Sequence, residues 1–128
     1  MKTENFERGM EMRKQVLSPA YVEQSLAAAD DFSRPMQELV TEFCWGAVWS
    51  RSGLSPRDRS LINLSMIAAL GRNKELALHT RGALRNGVTE SEIQEILLQI
   101  AVYCGFPAGL DSMATIKSAI ADYKKEDV

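Results

Sequence analysis

The sequence predicts an all-α protein, a single-domain bundle of about six to seven helices. Three observations carry that expectation. Apolar residues recur three and four apart through most of the chain. Helix start and stop signals divide it at intervals. No strand-like alternation, phosphate-cradling glycine loop, low-complexity region or repeat stands out. At 128 residues the chain is expected to form one domain and to bury a core without disulfides or metal.

Residues 3–16 read as a helix with Glu, Lys and Arg around Met10, Met12 and Val16. Residues 1–30 as a whole are expected to be a helical N-terminal arm, able to pack on a neighbour as easily as into a core. Ser18-Pro19 opens a second helix, serine as cap and proline in the tolerated first position, running to about Ala29. Asp30–Ser33 is a break, and a third helix is expected from Arg34 or Pro35 to about Ser50. Ser55-Pro56-Arg57-Asp58 starts the next helix, with Asp58 near the positive end of its dipole. Apolar residues surround most of its circumference up to Gly71, so it is expected to be the buried central helix.

A short link leads to the segment that carries the only histidine. Asn73 is expected to cap this helix, and Asn86-Gly87 to end it. Thr89-Glu90-Ser91-Glu92 is a capping box opening a helix to Tyr103-Cys104. Gly105-Phe106-Pro107 interrupts, a last helix runs from about Ala108 to Tyr123, and residues 124–128 form a polar tail expected to fray. Several helices carry apolar residues on more than one side, which points to a homo-oligomer.

Composition excludes several function classes. A net charge of −2 offers no broad basic field for nucleic acid. Cys44 and Cys104 are far apart, no Cys-x-x-Cys occurs, and one histidine cannot complete a zinc set with them, so no metal is expected. Residues 1–30 contain no long apolar core of a secretory signal, and no apolar run is long enough to span a bilayer. The expectation is a reduced, cytoplasmic protein without membrane partners.

The histidine helix divides by helical spacing. Leu76, Ala77, Ala83 and Leu84 form an apolar stripe, and Lys74, Arg81 and Arg85 gather opposite. Glu75 and His79 are neighbours on the border between them, with Arg72 one turn earlier. An imidazole beside a carboxylate, partly dry yet reachable, suits proton transfer at neutral pH. The plainer reading is an ordinary surface i,i+4 pair. Trp45 and Trp49, four apart around Gly46, are core or subunit-contact anchors on one reading and pocket walls on the other.

Beyond these patterns, the order and spacing of several pieces resemble a known family. They are Pro35–Glu42; Cys44-Trp45-Gly46-Ala47-Val48-Trp49; Arg57 with Arg59–Leu64; Glu75 and His79 with Arg81–Leu84 and Asn86-Gly87-Val88; Glu92-Ile93 with Leu97-Leu98-Gln99; and Tyr103-Cys104-Gly105 with Pro107-Ala108. Together they resemble the carboxymuconolactone decarboxylase family, its γ-carboxymuconolactone (4-carboxymuconolactone) decarboxylases in particular, over about residues 6–120.

The resemblance implies an alkylhydroperoxidase-D-like helical fold, a homohexamer, and a carboxy-lyase without metal or organic cofactor. The implied reaction converts γ-carboxymuconolactone to 3-oxoadipate enol-lactone in the protocatechuate branch of aromatic catabolism. For that reaction His79 is the expected proton donor or oxyanion partner, and Glu75 orients it or tunes its pKa. Arg51, Arg57 and Arg72 would clamp carboxylates, and Trp45 and Tyr103 would wall the pocket. In the wider superfamily the matching helix carries a Cys-x-x-Cys before the histidine. Here Arg72 and Glu75 stand in those positions, which removes a dithiol–disulfide cycle.

Gly109 and Ser112-Met113 depart from the family pattern in the last helix. That leaves open a same-fold enzyme acting on another lactone or acid. A non-catalytic helical binding oligomer is the alternative from outside enzymology.

Overall fold

The computed structural model describes residues 2–126. Among them are seven α-helices and one π-helix, with no strand. They fall into two compact units, Met1–Ser55 and Pro56–Val128. No described helix is long and apolar enough to cross a membrane.

The first unit contains α1 (Glu4–Leu17), α2 (Pro19–Ala27), α3 (Arg34–Leu39) and the π-helix (Val40–Trp49), which continues α3 without a break. Thr3 caps α1 by accepting the Phe6 amide at 3.0 Å. Ser18 ends α1 and starts α2 together. Its amide donates to the Lys14 carbonyl while its hydroxyl accepts the Tyr21 amide. That double duty holds a non-glycine residue at φ +85°, a conformation costing on the order of 1–3 kcal/mol.

The expected third helix is present, but its second half is wound as a π-helix. Such windings are rare and usually confined to a single turn. Two close backbone approaches join α1 to it. A Cβ on Gly9 would lie 1.9 Å from the Thr41 carbonyl oxygen, and one on Gly46 would lie 2.0 Å from the Asn5 carbonyl oxygen. Only two glycines allow backbones this close. Arg13, buried, then donates to Thr41 Oγ1 at 3.1 Å and to Gln37 Oε1 at 2.8 Å. It joins α1 to the turn where α3 becomes the π-helix. Burial lowers the Arg13 pKa, as expected for a guanidinium whose hydrogen-bond partners are neutral.

The second unit contains α4 (Pro56–Leu70), α5 (Asn73–Arg85), α6 (Glu90–Cys104) and α7 (Phe106–Glu126). Its core is built from Leu64, Ala68, Leu76, Ala83, Val88, Ile93, Ile100 and Ile116. The capping box forms as the sequence specifies: Thr89 Oγ1 accepts the Glu92 amide and Glu92 Oε1 accepts the Thr89 amide. Gly71 ends α4 at φ +71°, and Gly105 at φ +104° makes the turn from α6 to α7.

Several boundaries and burials differ from expectation. Arg72, not Asn73, occupies the cap of α5 and makes no side-chain capping bond. The Asn73 side chain donates instead to Asp111 of α7 at 3.0 Å, a tertiary partner that competes with the local cap. α7 begins at Phe106, because Gly105 alone makes the break. It also runs on through most of the expected polar tail. Lys124 pairs with Glu90, and Arg85 pairs with Glu126, each at 2.8 Å, which ties down residues that local sequence would let fray. The rest of that tail, residues 127–128, lies outside the described residues.

α4 is not buried around its circumference. It buries Ser60, Leu64 and Ala68, and leaves Ile62, Met66 and Leu70 exposed. One buried stripe is all that α5, α6 and α7 cover.

Candidate active site

α5 places Glu75 and His79 one turn apart, in the arrangement their spacing specifies. Glu75 is exposed and His79 is half-buried, between the fully buried positions Leu76 and Thr80. Thr80 Oγ1 donates to the Leu76 carbonyl at 2.7 Å, so its hydroxyl proton is satisfied within the helix.

Burial pushes the His79 pKa down to about 4, and the nearby Glu75 charge raises it without offsetting that loss of solvation. The imidazole is therefore neutral at neutral pH. A neutral imidazole has one N–H donor and one acceptor nitrogen. It can stabilise a growing oxyanion, and it gains a proton readily once an anion is brought beside it.

The predicted carboxylate clamps have different surroundings. Arg57 already holds a carboxylate: its Nη2 donates to Glu92 Oε2 across 35 residues of chain. That contact raises the Arg57 pKa and lowers that of Glu92 to about 2, with the Thr89 amide adding to the latter. Arg72 is exposed at the cap of α5, one turn before Glu75. Arg51 is exposed just beyond the π-helix, where it lines a cavity in the first unit with Asn5, Arg8, Gly46, Ala47 and Ser50.

Trp45 is 3% exposed and stacks on Trp49, ring centroids 4.7 Å apart at 28°. Within its own unit it is a core anchor. Tyr103 is 82% exposed near the end of α6. Cys44 is half-buried and Cys104 exposed, both as free thiols. No group of His, Cys, Asp or Glu among the described residues is arranged to hold a metal ion.

Residue-level reading did not find the part played by Asn5 and Arg8. Their spacing of three puts them on one face of α1, but nothing local names the π-helix end as what that face meets.

The signature of the carboxymuconolactone decarboxylase family matches residues 34–117, which is most of the chain and includes both Trp45 and His79. The chain belongs to this family. It is 49% identical over 117 residues to the nitrosuccinic acid decarboxylase of Metarhizium robertsii, covering 91% of this chain and 82% of that one. It is 37% identical over 119 residues to the 4-carboxymuconolactone decarboxylase of Acinetobacter baylyi, covering 93% and 89%. An uncharacterised 15.0 kDa protein of Paracoccus denitrificans is 27% identical over 120 residues, covering 92% and 89%. The protein is a decarboxylase of the carboxymuconolactone decarboxylase family, a carboxy-lyase, rather than a non-catalytic helical binding oligomer.

Family membership also gives the departure at Gly109 a setting. A Cβ there would meet Ala101 Cβ at 2.8 Å and Ala101 Cα at 3.1 Å. Gly109 is thus explained by the close crossing of α7 on α6, next to the turn at Gly105.

Proposed function

We propose that this decarboxylase acts without metal or organic cofactor on a small dicarboxylic acid whose own electron-withdrawing group receives the electrons left by carbon dioxide. The observation that supports this best is the half-buried neutral imidazole of His79, one turn from the Glu75 carboxylate.

Nitrosuccinate and γ-carboxymuconolactone, the acids in the relatives' names, share one electronic plan. In nitrosuccinate the departing carboxylate is on the carbon that bears the nitro group. The C–C bonding pair moves into that group to give a nitronate, and a proton added at carbon gives 3-nitropropanoate. In γ-carboxymuconolactone the pair moves through the ring double bond to the lactone carbonyl, giving a furan-like dienolate that is then protonated. Either way the substrate is its own electron sink, the task for which other decarboxylases recruit a cofactor.

The protein's share is then to hold two carboxylates, stabilise the new oxyanion and supply one proton. His79 is the donor to the oxyanion, and Glu75 sets its electrostatics. A preorganised donor of this kind contributes on the order of 3–4 kcal/mol. A bound dianion raises the imidazole pKa, so the same ring that stabilises the charge takes a proton from water and passes it to the carbon that lost carbon dioxide. Arg72, one turn before Glu75 on the same helix, is the carboxylate ligand beside His79, and the Arg57 guanidinium is shared with Glu92. The stronger clamp belongs on the carboxylate that stays, since gripping the departing one would favour the ground state.

Nitrosuccinate is the leading substrate, supported by the higher identity to the fungal enzyme. γ-Carboxymuconolactone, converted to 3-oxoadipate enol-lactone in protocatechuate breakdown, is the second reading, supported by the bacterial relative. The enzyme works as a homo-oligomer, a hexamer as the family resemblance implies, in the reducing cytoplasm. Exposed Leu70, Val102, Tyr103 and Phe106 support assembly, because apolar surface on this scale is seldom left to water.

The test is purified protein with each acid separately, following carbon dioxide release and loss of the starting compound. Faster turnover of nitrosuccinate supports the leading reading, and faster turnover of the lactone the second. Folded protein that turns over neither overturns both.

A further inference from the structure

We infer that Asn73 is a positioning residue for the decarboxylation: by binding the Asp111 carboxylate of α7, it keeps that acid off the Arg72 guanidinium and leaves Arg72 to the substrate. This rests on Arg72 being the carboxylate ligand beside His79.

The geometry starts at the link between α4 and α5. Gly71, at φ +71°, closes α4 with two backbone bonds. Its own amide donates to the Ala68 carbonyl at 3.1 Å, and the Arg72 amide donates to the Ile67 carbonyl at 3.2 Å. Helices commonly stop at glycine in this paired way. The Arg72 carbonyl then accepts the Leu76 amide at 2.8 Å, opening α5. Arg72 is thus fixed through its backbone on both sides, while its side chain is exposed and makes no capping bond. Among the described residues no ion pair ties it to an acid.

An acid nevertheless stands close by. Asp111 is exposed on α7, two residues after Gly109, where α7 crosses close on α6, and next to Ser112, which is buried. Packing of these neighbours holds Asp111 over the start of α5, where Asn73 Nδ2 donates to its Oδ2 at 3.0 Å. Arg72 directly precedes Asn73, with its Cα about 3.8 Å away, and its guanidinium stands on a longer stem than the Asn73 amide. A carboxylate at this range competes with substrate for a guanidinium, which takes either through paired N–H donors. Asn73 meets the acid with a neutral donor instead. It holds the contact because its short side chain loses less freedom than an arginine would, and an exposed ion pair gives little in return. The same bond joins the site to the last helix at Asp111, between the departures at Gly109 and Ser112-Met113.

The experiment compares wild type, Asn73→Ala, Asp111→Asn, their double variant, Arg72→Gln and Arg72→Gln with Asn73→Ala. Steady-state decarboxylation of whichever proposed acid turns over is measured beside NMR relaxation of the Arg72 Nε–H without substrate. Both Asn73 and Asp111 are exposed, so their variants are expected to fold, as circular dichroism would verify. Asn73→Ala should raise KM about threefold to fivefold, the scale on which an exposed ion pair competes, and leave kcat unchanged. Adding Asp111→Asn should restore KM, whereas a merely structural tie is not restored by losing its second half. In Arg72→Gln, adding Asn73→Ala should change KM no further. Without substrate, the Arg72 Nε–H should stiffen in Asn73→Ala and regain wild-type mobility in the double variant. Unchanged Arg72 mobility in Asn73→Ala would overturn the inference. So would a KM defect that persists in the double variant, or unchanged KM in Asn73→Ala while Arg72→Gln raises it. If Arg72→Gln leaves KM unchanged although Arg72 stiffens as expected, the failure is that of Arg72 as substrate ligand, and the Asn73–Asp111 contact still guards the guanidinium.

Discussion

Arg57 of α4 and Glu92 of α6 form one contact with two consequences. Glu92 Oε2 receives the Arg57 guanidinium, while Oε1 receives the amide of Thr89 at 2.9 Å. One carboxylate thus closes a capping box and joins two helices. Arg57→Gln should therefore lower the melting temperature and leave KM for the substrate unchanged, whereas Arg72→Gln should raise KM. Thr89→Ala, removing the other half of the box, should cost about 1 kcal/mol. Thermal melts beside steady-state kinetics separate these outcomes. A KM effect confined to Arg57→Gln would return Arg57 to the list of substrate ligands.

The same contact has an acid limit. The folded-state pKa of Glu92 is lowered to about 2 from its usual 4.5, so its contribution is complete above about 4.5 and is lost as pH falls toward 2. Glu92→Gln should flatten the stability profile in that interval. Chemical denaturation at stepped pH reads the difference directly.

His79 should produce a second acid transition, at higher pH. Its folded-state pKa is about 4 against an ordinary 6.5, so the unfolded chain takes up the proton first. Stability is complete above about 6.5 and falls as pH drops toward 4, by on the order of 3 kcal/mol in total. The histidine ring resonances, followed by NMR in the protein without ligand, should titrate near 4. A midpoint near 6.5 would mean that the ring is well solvated.

In catalysis, His79→Gln should reduce kcat by about 10²–10⁴, the usual scale for an acid–base group, with a smaller change in KM. Near-normal turnover would remove His79 from the chemistry and leave Glu75 or water as the proton source. Saturating substrate should also shift the His79 titration upward, because the added charge is negative.

Much of this was legible in one dimension, and the exceptions share a cause. Ser18, Ser55-Pro56, Gly71 and the Thr89–Glu92 box are local signals, and each marks a boundary of the structure. Glu75 and His79 needed only the helical period. Asn73 misled because its partner, Asp111, is 38 residues away. The π-helix had no one-letter signature, for it coincides with long-range contacts from Gly9 and Arg13. Arg57 has a partner, Glu92, 35 residues further along the chain. For His79 the spacing disclosed the neighbour, but the direction of its pKa depended on burial, which only packing decides.

Backbone proximity makes two glycines unequal. At Gly109 an added methyl meets chiefly the Ala101 methyl, 2.8 Å away, and overpacking of this kind costs about 1–3 kcal/mol. Gly109→Ala should be rescued in large part by Ala101→Gly. At Gly9 the added methyl meets a main-chain oxygen at 1.9 Å, which no side-chain change can relieve. Gly9→Ala should be the more damaging substitution and should disturb the stacked tryptophans, visible in near-ultraviolet circular dichroism. Equal melting temperatures for the two variants would count against the close α1–π-helix approach.

The state of assembly is open to direct test. α6 and α7 leave Val102, Phe106 and Leu110 exposed, and Val102 is 66% accessible. A charge at such a position is nearly neutral if the face meets water, and strongly unfavourable if it meets another subunit. Val102→Glu should therefore leave the helical content of the chain intact and lower its oligomeric state in sedimentation equilibrium. Leu98→Glu, on the same helix and 57% exposed, should act in the same direction. Sedimentation of the wild type as a monomer would end the assembly proposal. If the wild type is oligomeric and both variants sediment like it, these helices are not the contact, and Ile62, Met66 and Leu70 of α4 become the next face to charge.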